Sequence, residues 1–189
     1  MNNIVVFASG GGSNAEAIMK HFKGREGYSI AAIFTNNPSA GVLQKAETYG
    51  VPTVIFNREE LNGNAVLLKL QAFNPNIIVL AGFLWKFPES IVGAYPDKII
   101  NIHPALLPSY GGKGMYGINV HTAVHTNKDK ESGITIHYVN EHYDEGNIIF
   151  QATVALDDCA TPQDIAAKVL QLEHKFLPSV IEDLLKNEF

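Results

Sequence analysis

Ile4-Val5-Val6-Phe7-Ala8-Ser9-Gly10-Gly11-Gly12-Ser13-Asn14, near the start of this 189-residue chain, passes from an apolar strand into a glycine turn and a helix. An unbroken apolar run without polar alternation describes a strand covered on both faces, the kind found in parallel sheets. The glycines then let the backbone turn tightly, and Ser13 or Asn14 caps a helix patterned over Ser13–Phe22. Such a turn offers unpaired N–H groups and the positive end of a helix dipole to an anion. The same residues also serve a plain strand-to-helix turn. The run lacks the full G-x-G-x-x-G spacing of dinucleotide folds, and no Walker-type Gly-Lys-Ser/Thr follows it.

Outward from this stretch the pattern repeats. Short apolar runs recur at 30–34, 53–56, 77–81 and 99–102, with helical patterns at 41–49 and 61–73 between them. This alternation predicts an α/β fold: an open, doubly wound, mostly parallel sheet with helices on both faces and ligands beyond the carboxyl ends of its strands. After Pro108 the chain carries a glycine-rich loop, a helix around 120–125 and β-rich runs at 133–139 and 148–154 that extend the sheet, with an antiparallel strand as one arrangement. Thr161-Pro162-Gln163-Asp164 starts a final helix with proline at its first position, and Pro178 is expected to kink or interrupt it. No repeat, low-complexity tract or linker divides the chain, so a single domain over 1–189 is expected.

The fifth run leads into Asn101-Ile102-His103-Pro104-Ala105-Leu106-Leu107-Pro108. Residues two apart on a strand share a face, so an amide and an imidazole stand together at a strand end. Asn101 there suits donation to a carbonyl oxygen gaining negative charge, and His103 suits proton transfer near neutral pH, a pairing fit for acyl transfer. Tyr143-Asp144-Glu145-Gly146 supplies the carboxylate that a working imidazole needs, although Asp before Glu-Gly is also ordinary turn chemistry.

With Asn101-x-His103-Pro104, Leu106-Leu107-Pro108 and the 143–146 turn following the glycine run in this order, the chain resembles the folate-dependent formyltransferases over nearly its whole length. The resemblance implies the Rossmann-like formyltransferase fold in one domain. It further implies transfer of a formyl group from 10-formyltetrahydrofolate, as co-substrate, to the amine of 5-phosphoribosylglycinamide in purine biosynthesis. Asn101, His103 and Asp144 would be catalytic, with Asp144 orienting His103 and raising its pKa. Gly12, Ser13 and Asn14 would bind the ribonucleotide phosphate, and Glu173, in Gln171-Leu172-Glu173-His174, its ribose hydroxyls or glycinamide end. Folate would lie against Leu84, Trp85, Lys86 and Phe87, against Asn101, and against Asn140, Glu141, His142, Tyr143 and Asp144.

Two departures stand out. The family usually carries an arginine where this chain has Trp85, leaving Lys86 or Arg58, near another family arginine, as the substitute. The loop Gly111-Gly112-Lys113-Gly114-Met115-Tyr116-Gly117 is longer than its family counterpart and is expected to close over the ribonucleotide, with Lys113 available to the phosphate. His137, on the 134–138 strand, resembles a family position near the active site and is expected to play a supporting role.

Other features bound the alternatives. The formal net charge of −5 opposes nucleic-acid binding, which uses basic patches. A single cysteine, Cys159, forms no internal disulfide and has no basic sequence neighbour to activate it. No run approaches the roughly 18 apolar residues of a membrane helix. The chain opens into an apolar strand without a basic leader, so the expectations are the cytoplasm, no membrane partner, and a monomer or homodimer. His121 and His125 have the i, i+4 spacing of a metal pair, yet no Glu follows His121 as a zincin motif demands, and no metal is expected. Formyl transfer to another acceptor, hydrolysis of the folate, and a non-enzymatic nucleotide-binding module remain the alternatives. Within the resembling group, methionyl-tRNA formyltransferases carry an added RNA-binding domain and formyltetrahydrofolate hydrolases an added regulatory one, and neither is expected alongside these 189 residues.

Overall fold

The computed structural model describes residues 1–142 and 144–187, with only the backbone of 187. Its seven strands are β1 (Asn2–Phe7), β2 (Tyr28–Thr35), β3 (Thr53–Ile55), β4 (Ile77–Leu80), β5 (Ile99–His103), β6 (Glu131–Tyr138) and β7 (Ile148–Ala155). Helices α1 (Ser13–Phe22), α2 (Val42–Tyr49), α3 (Arg58–Asn62), α4 (Ala65–Phe73), α5 (Glu89–Ala94), α6 (Ile118–Asn127) and α7 (Pro162–Asn187) connect and cover them. The sheet order is β3-β2-β1-β4-β5-β6-β7, parallel from β3 to β5 and antiparallel at both β5–β6 and β6–β7.

The central strands are apolar on both sides because both sides are covered. Ile4, Val6, Ile33 and Val79 pack with α1, α2, α6 and α7 on one face, while Val5, Phe7, Phe34 and Ile78 pack with α3, α4 and α5 on the other. Strand order reverses between β1 and β4. The loop leaving β1 runs to α1 on one face and the loop leaving β4 runs to α5 on the other, opening a crevice at their carboxyl ends. Across it, the Ser9 N–H donates to the Gly82 carbonyl and the Leu84 N–H donates to Ser9 Oγ, both at 3.1 Å.

Two helical expectations are corrected. The pattern over 61–73 spans two helices, because Asn57 and Glu60 cap α3 reciprocally and the extended backbone at Gly63 ends it before α4 begins. Of the kink or interruption expected at Pro178, the interruption does not occur: α7 is continuous from Pro162 to Asn187. An interior proline costs about 3 kcal/mol. Leu177, Ile181 and Leu185 around it are fully buried and contribute about 1.5–3 kcal/mol each, so burial outweighs the lost hydrogen bond. The start of α7 matches expectation: Thr161 Oγ1 accepts from the Asp164 N–H at 3.2 Å, and Asp164 Oδ2 accepts from the Thr161 N–H at 2.8 Å.

Candidate active site

A cavity of about 580 Å³ fills the crevice. Its floor is the end of β5, where Asn101 and His103 both line it, as their shared strand face requires. Antiparallel pairing sets His137 opposite Asn101 and Thr135 opposite His103. Thr135 Oγ1 donates to the Ala105 carbonyl at 2.7 Å and accepts from the Leu107 N–H at 2.9 Å, tying the turn after His103 to β6.

His103 is 3% exposed, and its Nε2–H donates to the Tyr110 carbonyl at 2.8 Å. Nδ1 consequently faces Asp144 Oδ2 at 3.6 Å, too far for a hydrogen bond but close for a charge. The Asn101 amide donates to His137 Nε2 at 3.1 Å, while His137 Nδ1–H donates to the Tyr138 carbonyl at 2.9 Å. That leaves the second N–H of Asn101 for the cavity. His137 Nε2 stands 3.6 Å from Asp144 Oδ1, so the carboxylate sits between two imidazoles.

Asp144 adopts φ 57°, a left-handed conformation that Asp tolerates. The adjoining Gly146 cannot be replaced without moving the turn, since a Cβ there would lie 1.7 Å from the Tyr138 carbonyl oxygen. Burial works to raise the Asp144 pKa, but the His137 ring, the charge of His103 and the Gly112 N–H together hold it below the usual carboxylate range. Asp144 pulls the His103 pKa up, as expected, yet the net shift is downward. Burial lowers its pKa and outweighs the opposing pull of Asp144. The resting imidazole is therefore neutral at pH 7.

One wall of the cavity comes from α1, α6 and α7. The α1 N-cap is Gly12 at φ 70°, and no side chain caps the helix, correcting the assignment of that role to Ser13 or Asn14. Asn14 lines the cavity, and its amide donates to Glu173 Oε2 at 2.5 Å. Gly12 and Ser13 sit at the helix terminus beside the cavity rather than among its lining residues. Glu173 is buried, not solvated, and burial raises its pKa. His121 on α6 also lines this wall, although its sequence position suggested only a weak metal pairing. Its signal was its place beside Val120 and Val124 on the buried stripe of α6.

Gly12 also permits a close approach, because a Cβ there would lie 2.4–2.9 Å from Val42 side-chain and backbone atoms. Gly12→Ala combines that clash with left-handed strain of about 1–2 kcal/mol. A fall in Tm of roughly 3–6 °C is expected by calorimetry.

The opposite wall follows β4. Phe83 and Phe87 anchor its loop in the core, with ring centroids 5.4 and 5.0 Å from Phe7. Leu84, Trp85 and Lys86 between these anchors line the cavity, and Phe87 contributes mainly as packing. Arg58 is not among the lining residues; its guanidinium lies 4.4 Å from the Trp85 ring centre, a cation–π contact. Asn140 and His142 line the cavity; Glu141 does not, forming an exposed pair with His142. Tyr143 lies outside the described residues.

The loop at 111–117 forms the remaining side. Residues 112–117, Lys113 included, line the cavity, and the Gly112 N–H donates to Asp144 Oδ2 at 2.9 Å. Beyond the closure over the ribonucleotide and the Lys113 contact to phosphate expected of it, this loop also holds the carboxylate. Among the described residues no group of three or more His, Cys, Asp and Glu is placed to hold a metal ion, and no helix is long and apolar enough to cross a membrane.

Comparison with known proteins identifies the family. The formyl transferase family model matches residues 2–181. A phosphoribosylglycinamide formyltransferase of Bacillus subtilis (strain 168) is 36% identical over 191 residues, covering 98% of this chain and 95% of that protein. The chloroplastic phosphoribosylglycinamide formyltransferase of Arabidopsis thaliana is 39% identical over 185 residues, which are 94% of this chain but 63% of the plant protein's length. The crystal structure of phosphoribosylglycinamide formyltransferase from Anaplasma phagocytophilum superposes with a TM-score of 0.90 at 33% identity, covering 98% of this chain and 88% of that one. The motif order, the doubly wound sheet and these likenesses converge: the chain belongs to the formyl transferase family.

Proposed function

We propose that this chain, acting as one formyltransferase domain, moves the formyl group of 10-formyltetrahydrofolate to the amine of 5-phosphoribosylglycinamide in purine biosynthesis. The observation that carries this reading is the meeting of Asn101, His103 and Asp144 at the floor of one cavity. On one side of them lies an uncapped helix terminus with a buried carboxylate, and on the other an aromatic loop.

Each substrate fits one wall. The ribonucleotide phosphate takes the free N–H groups at Gly12, Ser13 and Asn14, with Lys113 adding charge across the cavity, and Glu173 receives sugar or amine donors. The flat folate ring lies along Leu84, Trp85 and Lys86 and reaches Asn140 and His142. Arg58, stacked on Trp85, stands at the rim for the acidic folate tail.

In the reaction, the amine attacks the formyl carbon. A C–N bond forms and the carbonyl electrons move to oxygen. The unused Asn101 N–H donates to that oxyanion. His103 Nδ1, holding a lone pair, takes the proton released by the cationic amine, directly or through water, and the imidazolium is stabilised by Asp144. The proton then passes to the folate nitrogen as its bond to the formyl carbon breaks, releasing tetrahydrofolate and the formylated ribonucleotide.

The test is turnover with authentic substrates. Tetrahydrofolate and formylated ribonucleotide are expected to appear in equal amounts at a rate on the order of 1–1000 per second. Folate loss without ribonucleotide would indicate hydrolysis, and ribonucleotide binding without turnover would favour a nucleotide-binding module.

A further inference from the structure

His121 is 6% exposed and lines the cavity, yet among the described residues neither nitrogen of its ring has a hydrogen-bond partner. An unpaired buried polar group costs about 1–3 kcal/mol, which a fold tolerates where a ligand supplies the partner. Asn14 Oδ1 on the same wall is likewise buried and unpaired, and the Glu173 carboxylate lies against Asn14. Three polar side chains from α1, α6 and α7 thus converge with hydrogen-bonding capacity unused.

Given that the ribonucleotide occupies this wall, as proposed above, we infer that His121 hydrogen-bonds the ribonucleotide at the end that carries its amine, as a substrate-binding residue.

Position and charge both select that end. His121 lines the same cavity as His103 and feels the charge that ring carries when protonated, which sets it on the reacting side of this wall rather than beyond α1. Burial, with that charge, holds its pKa below the ordinary histidine value, so the ring is neutral at pH 7. A neutral imidazole offers one donor and one acceptor, which suits an amide, a hydroxyl or an amine. It contributes no charge to a phosphate dianion, for which the α1 terminus is the better match.

Replacing the ring by a phenyl in His121→Phe retains most of the packing and removes the hydrogen bonds. The expected result is a ribonucleotide KM raised about tenfold, the worth of one hydrogen bond, with His121→Gln recovering part of it. Tetrahydrofolate affinity, read by quenching of Trp85, the chain's one tryptophan, and inhibition by inorganic phosphate should both stay at wild-type values. In the unmutated protein, the histidine-ring 15N signal missing from His121→Phe should shift on adding ribonucleotide and not on adding tetrahydrofolate. That measurement stands even if the variant folds poorly. Wild-type KM in His121→Phe, parallel loss of folate or phosphate binding, or an unmoved ring signal would each overturn the assignment. Absence of formyl transfer in the wild-type protein would instead remove the functional reading on which it rests.

Discussion

His103→Ala is expected to lower kcat by about 10²–10⁴-fold while leaving both substrate KM values within roughly threefold of wild type. The split follows from what the imidazole does before and during reaction. In the resting site its Nε2–H is committed to the Tyr110 carbonyl, and its Nδ1 lone pair faces a carboxylate 3.6 Å away without a hydrogen bond. Neither contact involves substrate. The ring becomes useful when a proton leaves the attacking amine, so its interaction energy arises only along the reaction path. An interaction of that type lowers kcat and kcat/KM together. Alanine also leaves a void beside Thr135 and the Tyr110 carbonyl, so His103→Gln should be measured alongside to separate lost packing from lost proton transfer. Turnover by either variant at the wild-type rate would remove His103 from the chemistry.

The sheet was legible because its strands carry unbroken apolar runs, and such runs encode burial on two faces wherever they occur. The pairing of Asn101 with His103 was legible for an equally local reason, the two-residue period of a strand. What escaped depended on balances between distant parts of the chain. Pro178 has a strong local preference against helix, and only the burial of Leu177, Ile181 and Leu185 overrules it. Glu173 is implied as a substrate contact by the resemblance alone, and its burial against Asn14, 159 positions away, has no local signal. The carboxylate beside His103 implied a raised pKa, but the opposing burial comes from several elements packed together. The glycine loop pointed to motion, whereas its hydrogen bond to Asp144 gives it a second task. His121 lacked a motif altogether; its interest lies in a missing partner, which only three-dimensional packing exposes.

Asp144→Asn is expected to reduce kcat roughly 10- to 1000-fold, the range over which a neighbouring opposite charge favours an ionised partner. The exchange is nearly isosteric. The asparagine carbonyl can still accept the Gly112 N–H, so the loop at 111–117 retains its anchor and ribonucleotide KM should change little. What disappears is the negative charge facing His103 Nδ1 and His137 Nε2. The pH profile gives the sharper reading. Burial already sets the His103 pKa below its ordinary value, and Asp144 opposes that shift. Because the neutral ring accepts the proton, kcat/KM should climb as pH rises through the His103 pKa in the free enzyme. Removing the carboxylate withdraws the group that favours imidazolium, so in Asp144→Asn the climb should move to lower pH and reach a lower plateau. Asp144 itself titrates below the usual carboxylate range and adds no inflection near neutrality. A climb displaced to higher pH, or an unchanged plateau, would mean that the carboxylate serves only to hold the loop and that His103 works without it.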